Sequence, residues 1–485
     1  MAESFYLTTT LPYVNAEPHI GFALEIIAGD VICRWQRSLG KDVVFNTGTD
    51  EHGQKIYQNA VDKKMDPQSY VDEYAAKFDE LKQLLNLSYN KFIRTTNPEH
   101  KKAALNFWIL CCKKGDIYKK LYAVKYCVGC ELEKTDSELV DGRCPLHPNR
   151  DLEIREEENY FFKFSNYQQQ LLDLYKQHPD FVQPEGKMKE IVAFVQHGLQ
   201  DFSISRLKEK MPWGVEVPED PEHVMYVWFD ALINYISTIG WPNDMAQFEK
   251  YWPVVQLAGK DNLRQQSAMW QSMLMSAGVS PSRKILINGF ISVDGQKMSK
   301  SLGNVISPTE MVEKYGVDGT RYILMYIGPF SSDMDVSWEK FDTLYESKLQ
   351  NGIGNVCSRI AKLCENINLA ETSEKDRWKF ENGKSETEMR EIEIALTDEF
   401  NNFEIKDVVA DINSYVNEIN EKLSILKPWK LEGEDKVKVV KKAVASLIFL
   451  SKYLKLIMPE TGEMIQKHFT AEKIVALTPM FPRLN

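Results

Sequence analysis

No stretch of this sequence approaches the roughly 20 consecutive apolar residues that span a bilayer. Its most apolar late segment, Ala443 to Leu450, is far too short. Residues 1–4 carry no basic side chain, so an export leader is not expected and cytoplasmic residence is. Positive charge is in deficit: 59 Lys and Arg against 70 Asp and Glu leave a net charge of −11, which argues against a general nucleic-acid coat. RNA binding would need local basic stretches, to which Lys297, Lys300, Arg359, Lys427 and Lys430 are candidate contributors. The alternative for each is a solvated surface charge. Cysteine is sparse, eight in 485 residues, and without an export leader reduced thiols or a metal site are expected over disulfides. Internal repeats and low-complexity segments are absent.

What is present suits a large folded protein. With 43% hydrophobic residues, the chain has apolar surface for three or four units. Phe5 to Thr9 alternates like a strand, Leu11 to Pro18 is loop-like, Ile20 to Leu39 has helical periodicity, and Val43 to Thr47 reads as a second strand. Strand, loop, helix, strand is the start of a doubly wound parallel sheet, a fold that binds ligands at the carboxyl ends of its strands. The pattern breaks between Gly115 and Val224 and resumes at Met225 to Trp228, with further strands at Val254 to Leu257 and Lys284 to Asn288. No proline falls between Trp338 and Pro428, where helical periodicity prevails. We therefore expect an α/β split Rossmann domain (1–114 and 225–290), an insertion (115–224), a linker (291–345) and a C-terminal α-helical bundle (346–485).

Two clusters suit phosphate chemistry. Pro18-His19-Ile20-Gly21-Phe22 lies where the first loop opens a helix, and a helix N-terminus favours anions. Gly21 would let a nucleotide approach the backbone, and His19 would donate to a triphosphate. An ordinary helix start with a surface histidine is the alternative. Far along the chain, Asp294-Gly295-Gln296-Lys297-Met298-Ser299-Lys300-Ser301 is a turn followed by two lysines. Lys297 and Lys300 can neutralise a departing pyrophosphate, where attack at the α-phosphorus needs positioning and charge neutralisation more than proton transfer. A basic surface loop is the alternative.

Cys127-Val128-Gly129-Cys130 and Cys144-Pro145-Leu146-His147 place two donor pairs on turns within the insertion. Three thiolates and an imidazole suit tetrahedral zinc and leave no open position for a catalytic water, so the expected site is structural. An iron or empty site is the alternative. In the C-terminal region Asn351, Asn355 and Arg359 recur every four residues and would share a helix face. Trp429 follows Pro428 at a helix break, where an indole can stack on an unpaired base. The alternatives are a polar solvent face and a capping aromatic.

His19 to Phe22 together with Lys297 to Ser301 resemble the two signature motifs of class I aminoacyl-tRNA synthetases. Leu11-Pro12-Tyr13-Val14-Asn15, Asn46 to Gly53 and Tyr226 to Ala231 are similar to strings of the methionyl-tRNA synthetase family in particular. The resemblance covers nearly the whole chain. It implies formation of methionyl-adenylate from L-methionine and ATP with Mg²⁺, then transfer to the terminal adenosine of tRNA(Met). It further implies that Asp50 takes the α-ammonium group and is held by Arg206. Tyr13, Trp228 and Leu11 would line the thioether pocket, where sulfur meets aromatic surface favourably. By the same resemblance Asp261 would bind the ribose, zinc would sit in the insertion, and Asn351, Asn355, Arg359 and Trp429 would read the anticodon.

This sequence departs from the family at two places. Phe22 stands where the family usually has a second histidine, and Gln265-Gln266 stands where many relatives carry Phe-His. Gln266 would then supply a polar contact to the sulfur, or leave the pocket more polar and less selective. The roughly 110 residues of the insertion have no room for the large editing unit of the isoleucine, valine and leucine enzymes. A monomer is expected. The rival readings are a cysteinyl enzyme and a catalytically silent tRNA-binding paralogue.

Overall fold

The computed structural model describes residues 3–127, 132–134, 139–145, 149, 151–298, 303–330, 332–365, 367, 372, 374–378, 381–382 and 390–484. Six strands form the central sheet: β1 (Ser4–Thr8), β2 (Asp42–Thr49), β3 (Lys91–Arg94), β4 (Val182–Gln183), β5 (Val255–Gly259) and β6 (Lys284–Asn288). Their spatial order is β3-β2-β1-β5-β6-β4, and every pairing is parallel. Leu7 stands opposite Phe45 on one side and Val255 on the other.

A parallel sheet is covered on both faces, so its strands read as nearly unbroken apolar runs. Alternate residues then go to opposite cores. Leu7, Phe45, Leu257 and Leu286 enter one apolar cluster, and Tyr6, Val44, Ala258 and Ile287 enter the other. The first cluster is continuous with the core of the C-terminal helices, so the helical region is packed onto the sheet domain through helix α1 (Ile20–Ser38). The Trp35 indole of α1 stacks on Phe400 at 4.8 Å and donates to Asn401 Oδ1.

The region expected as an insertion is not self-contained. It holds a four-stranded antiparallel sheet, dominated by Ile117–Cys127 against Glu153–Phe162, and a three-stranded one ending in Asp220–Met225. Yet β4, from the middle of the region, completes the central sheet beside β6. The resumption expected at Met225 to Trp228 also differs from a sheet strand: Met225 ends a strand of the small sheet and Trp228 lies on a short helix, Val227–Ala231. Cys127 ends its long strand, paired in register with Leu132. Cys144 is buried just beyond the bridge between Val140 and Arg143. Cys130 and His147 lie outside the described residues, among which no group of three or more His, Cys, Asp or Glu is arranged to hold a metal ion.

After β6 the chain forms a hairpin, Ile291–Val293 with Gln296–Lys297. Asp294 and Gly295 both have positive φ, 51° and 74°, the backbone of the tight turn that Asp-Gly favours. Helix Pro308–Ile327 follows behind a capping box between Ser307 and Glu310. The bundle comprises Trp338–Leu363, Ile392–Asn401, Ile405–Leu426, Gly433–Ile457 and Pro459–Phe469. No described helix is long and apolar enough to cross a membrane.

Candidate active site

A cavity of about 1850 Å³ opens at the carboxyl ends of β1, β2, β5 and β6. Its lining joins residues remote in sequence: Leu11 and Tyr13 after β1, His19 and Gly21 at the start of α1, Asp50 after β2, Trp228, Asp261 after β5, Gln266, and Lys297 with Met298 from the hairpin. The two phosphate-handling clusters thus meet. The Met298 methyl lies 3.8 Å from where a side chain on Gly21 would begin. Any such side chain would first strike the His19 ring, 2.8 Å from that point, which is why the position is glycine. Lys300 lies outside the described residues. Lys297 Nζ stands 5.6 Å from the centre of the Phe290 ring, whose other cationic neighbour, Lys260, is paired with Asp333.

His19 is the N-cap of α1, and its Nδ1 accepts the Gly21 N–H at 3.0 Å. That bond assigns the ring proton to Nε2, and burial lowers the imidazole's pKa. A neutral donor therefore sits at the positive end of a 19-residue helix.

Asp50 is 6% exposed, and its Oδ1 has no hydrogen-bond partner. Its backbone is locked to the first loop by Val14 N–H to Asp50 O at 3.2 Å and Asp50 N–H to Pro12 O at 3.0 Å. Burial, and then the charge of Asp230, raise its carboxyl well above the usual aspartate range. Asp230 is spared that fate. Burial opposes its charge, but His52 at 2.6 Å and His100 at 2.9 Å more than offset this and hold its pKa low. A buried carboxyl with a free oxygen beside a fixed negative charge is a site for a cation.

The chain matches the family model of tRNA synthetases class I (M) over residues 5–153 and 146–361. It is 45% identical over 390 residues to a methionine–tRNA ligase of Thermosynechococcus vestitus, covering 79% of this chain and 71% of that protein. Against the methionine–tRNA ligase of Rickettsia typhi it is 37% identical, covering 94% and 90%. A solved structure of Mycobacterium tuberculosis methionyl-tRNA synthetase in complex with methionyl-adenylate superimposes with a TM-score of 0.83 at 32% identity, covering 99% of this chain and 98% of that one.

The chain belongs to the methionyl-tRNA synthetase family. Two side chains stand otherwise than expected: one from the resemblance, Arg206, and one at the departure from it, Gln266. Arg206 does not pair with Asp50. Its guanidinium donates to Ser203 Oγ at 2.8 Å and the Ser205 carbonyl at 2.7 Å, and lies 4.1 Å over the Tyr226 ring. The short strand Ser205–Leu207 turns the side chain back on its own neighbours. Gln266 lies within the wall and both ends of its amide are engaged: Nε2 donates to Tyr235 Oη at 2.7 Å and Oε1 accepts from Gln256 Nε2 at 3.0 Å. It is wholly buried, with its oxygen and one amide hydrogen already engaged.

On the bundle, Asn351 and Asn355 are exposed and Arg359 half-buried. Asn351 falls in a π-helical stretch, Tyr345–Gly354, so the ideal 3.6-residue phase assumed for the three does not hold through it. Arg359 nevertheless stands 5.8 Å over the ring of Trp429, which is 51% exposed, and donates to Asn420.

Sequence reading missed several residues of this cavity. Glu25 lines the cavity and accepts from Thr10 N–H at 2.7 Å. Asp230 and His52 lay within recognised strings but had no role, and His100 had no signal because its partner is 130 residues away. The hydroxyl of Tyr235 was missed for the same reason.

Proposed function

We infer that this chain is a methionine–tRNA ligase, and that the cavity at the sheet's carboxyl edge is where ATP and L-methionine react. The convergence of His19 and Gly21 with Lys297 on one cavity that also holds the Asp50 carboxyl, whose Oδ1 has no hydrogen-bond partner, carries this reading.

In it, Asp50 accepts the α-ammonium group of methionine, and the side chain lies against Leu11, Tyr13 and Trp228. Asp261 takes the ribose hydroxyls. The methionine carboxylate attacks the α-phosphorus, forming a C–O–P link and expelling pyrophosphate, with no proton transferred. His19 Nε2–H, Lys297 and Lys300 neutralise the triphosphate as charge moves to the leaving group, alongside the divalent metal, Mg²⁺, that ATP brings. A hydroxyl of the terminal adenosine of tRNA(Met) then attacks the adenylate carbonyl and releases AMP. Asn351, Asn355, Arg359 and Trp429 offer amides, a guanidinium and an indole to anticodon bases. Arg206, turned away from Asp50, acts by closing the wall beside Tyr226.

The donor set of Cys127, Cys130, Cys144 and His147 fits a structural zinc ion: Cys127 ends a strand in a tight hairpin register and Cys144 is buried nearby in sequence. Zinc there would tie the hairpin to the following loop and takes no part in either step. We read the protein as a cytoplasmic monomer, with domain limits near 114, 224, 290 and 345.

ATP–pyrophosphate exchange with each of the twenty amino acids tests the function. Methionine should exceed leucine, isoleucine and added homocysteine; equal exchange with leucine would overturn the reading.

A further inference from the structure

The short segment after β2 that carries Asp50 is held from several sides. The Glu51 amide donates to Thr95 Oγ1 at 3.0 Å, the Glu51 carboxylate accepts two bonds from Arg94, and the His52 ring is bound to Asp230. Asp50 itself exchanges backbone bonds with Pro12 and Val14. These partners all come from the two Rossmann halves. Two further backbone groups are held from elsewhere. The Trp213 indole Nε1–H donates to the Glu51 carbonyl at 2.6 Å, and the Gly53 N–H donates to the Trp213 carbonyl at 3.0 Å. Trp213 belongs to the insertion, 162 residues beyond Glu51; it is half-buried and meets the His52 ring edge to face at 5.7 Å.

Both bonds bear on groups that line the cavity. The Glu51 carbonyl and the His52 N–H are the two ends of one trans peptide, so fixing the oxygen fixes the direction of the N–H. That N–H bonds the Asp50 carboxyl and favours its charge, against burial and the charges of Asp230 and Glu51. Gly53 has a φ of 120°, and a side chain there would begin 2.6 Å from the Tyr13 hydroxyl. Holding the Gly53 amide thus keeps bare backbone against the Tyr13 ring. Trp213 does not line the cavity, whereas Met211, two residues before it, does.

We propose that Trp213 is a positioning residue for the amino acid: from the insertion, its indole N–H and its carbonyl clamp the Glu51–His52 peptide and Gly53, and so fix the Asp50 carboxyl and the Tyr13 ring as one wall. The inference rests on the reading of Asp50 as the ammonium acceptor and deepens it. A peptide free to rotate would have to be ordered when methionine binds, at a cost in affinity, and a donor on its oxygen also polarises its N–H. The insertion thereby shapes the amino-acid site without touching the amino acid.

The test is Trp213→Phe, which removes the indole N–H and keeps an aromatic ring, measured in pyrophosphate exchange. Methionine KM should rise about three- to tenfold, the worth of one ordinary hydrogen bond, with kcat and the ATP KM within about twofold of native. The titratable groups bearing on the Asp50 carboxyl are Asp230, with His52 and His100 behind it, Glu51, and the phenols of Tyr13 and Tyr235, none of which the substitution removes. Loosening an N–H that favours the carboxylate makes that group hold its proton to higher pH, so the acid limb of methionine KM should move upward in pH. In an Asp50→Asn background Trp213→Phe should have little further effect, because both changes act through one carboxyl. If Trp213→Phe does not fold, the benzothiophene isostere of tryptophan at 213, with sulfur for N–H, decides the matter. An unchanged methionine KM, an equal rise in the ATP KM, an unmoved limb, or full additivity with Asp50→Asn overturns the proposal. A native methionine KM in Asp50→Asn alone instead overturns the reading of Asp50 beneath it.

Discussion

The Arg321 guanidinium donates to the Asp30 carboxylate at 2.7 Å, and neither side chain is exposed at all. The same guanidinium donates to the backbone carbonyls of Leu85 and Ile457. One side chain on helix Pro308–Ile327 therefore ties α1 of the sheet domain to the end of helix Gly433–Ile457 of the bundle. Removing Asp30 strands the Arg321 charge in the interior, which costs about 3 to 5 kcal/mol, whereas Asp30 without Arg321 would still be paired with Arg34 at 2.6 Å and bonded by Ser88. Asp30→Leu should lower the urea midpoint accordingly, and Asp30→Leu/Arg321→Met should recover part of the loss. A double variant no more stable than the single would show that the charge pair is not what joins these parts.

Asp50→Asn keeps the shape of the site and removes its charge. The methionine KM should rise about 10- to 100-fold, as expected for a lost charge-assisted hydrogen bond, with a much smaller change in the ATP KM. Since the native carboxyl holds its proton well above the usual aspartate range, protonation as pH falls removes the ammonium acceptor. Methionine KM should therefore climb on acidification at a pH above that range, and the asparagine variant should lack this limb.

Burial pushes the Glu25 carboxyl up to about 7, against the Thr10 N–H bond that favours its charge. A raised acid binds its proton more tightly folded than unfolded. Its contribution to stability is thus complete below the ordinary glutamate range and is lost as pH rises through about 7. Tm measured between pH 5 and 8.5 should decline more steeply in the native protein than in Glu25→Gln, and parallel curves would refute the assignment.

Trp429→Ala should lower kcat/KM for tRNA by about tenfold or more, given about 1 to 3 kcal/mol for a stacked base. Pyrophosphate exchange should stay at the native rate, because the residue touches only Arg359 among the candidate site groups. A loss confined to exchange would remove it from tRNA recognition.

Elemental analysis should find close to one zinc per chain, and Cys144→Ser should lower that content while leaving the central sheet folded. Substoichiometric zinc after gentle purification would count against the site.

Much of this protein was legible in one dimension. The central strands announce themselves because a sheet covered on both faces needs unbroken apolar runs, and the observed β6 coincides with the expected Lys284 to Asn288. His19, Gly21 and Lys297 were readable as candidates, because phosphate chemistry demands few residue types at short spacing, and the fold brings them to one cavity. The hairpin at Asp294-Gly295 followed from the positive φ that such a turn requires. What resisted reading was decided by contacts across long separations. That Asp230 can stay charged depends on His100, 130 residues away, and that Gln266 is engaged within the wall depends on Tyr235 and Gln256. Side-chain hydrogen bonds have direction as well as distance. A sequence carries the groups that can make them, but only the folded chain determines which atom donates, and to what.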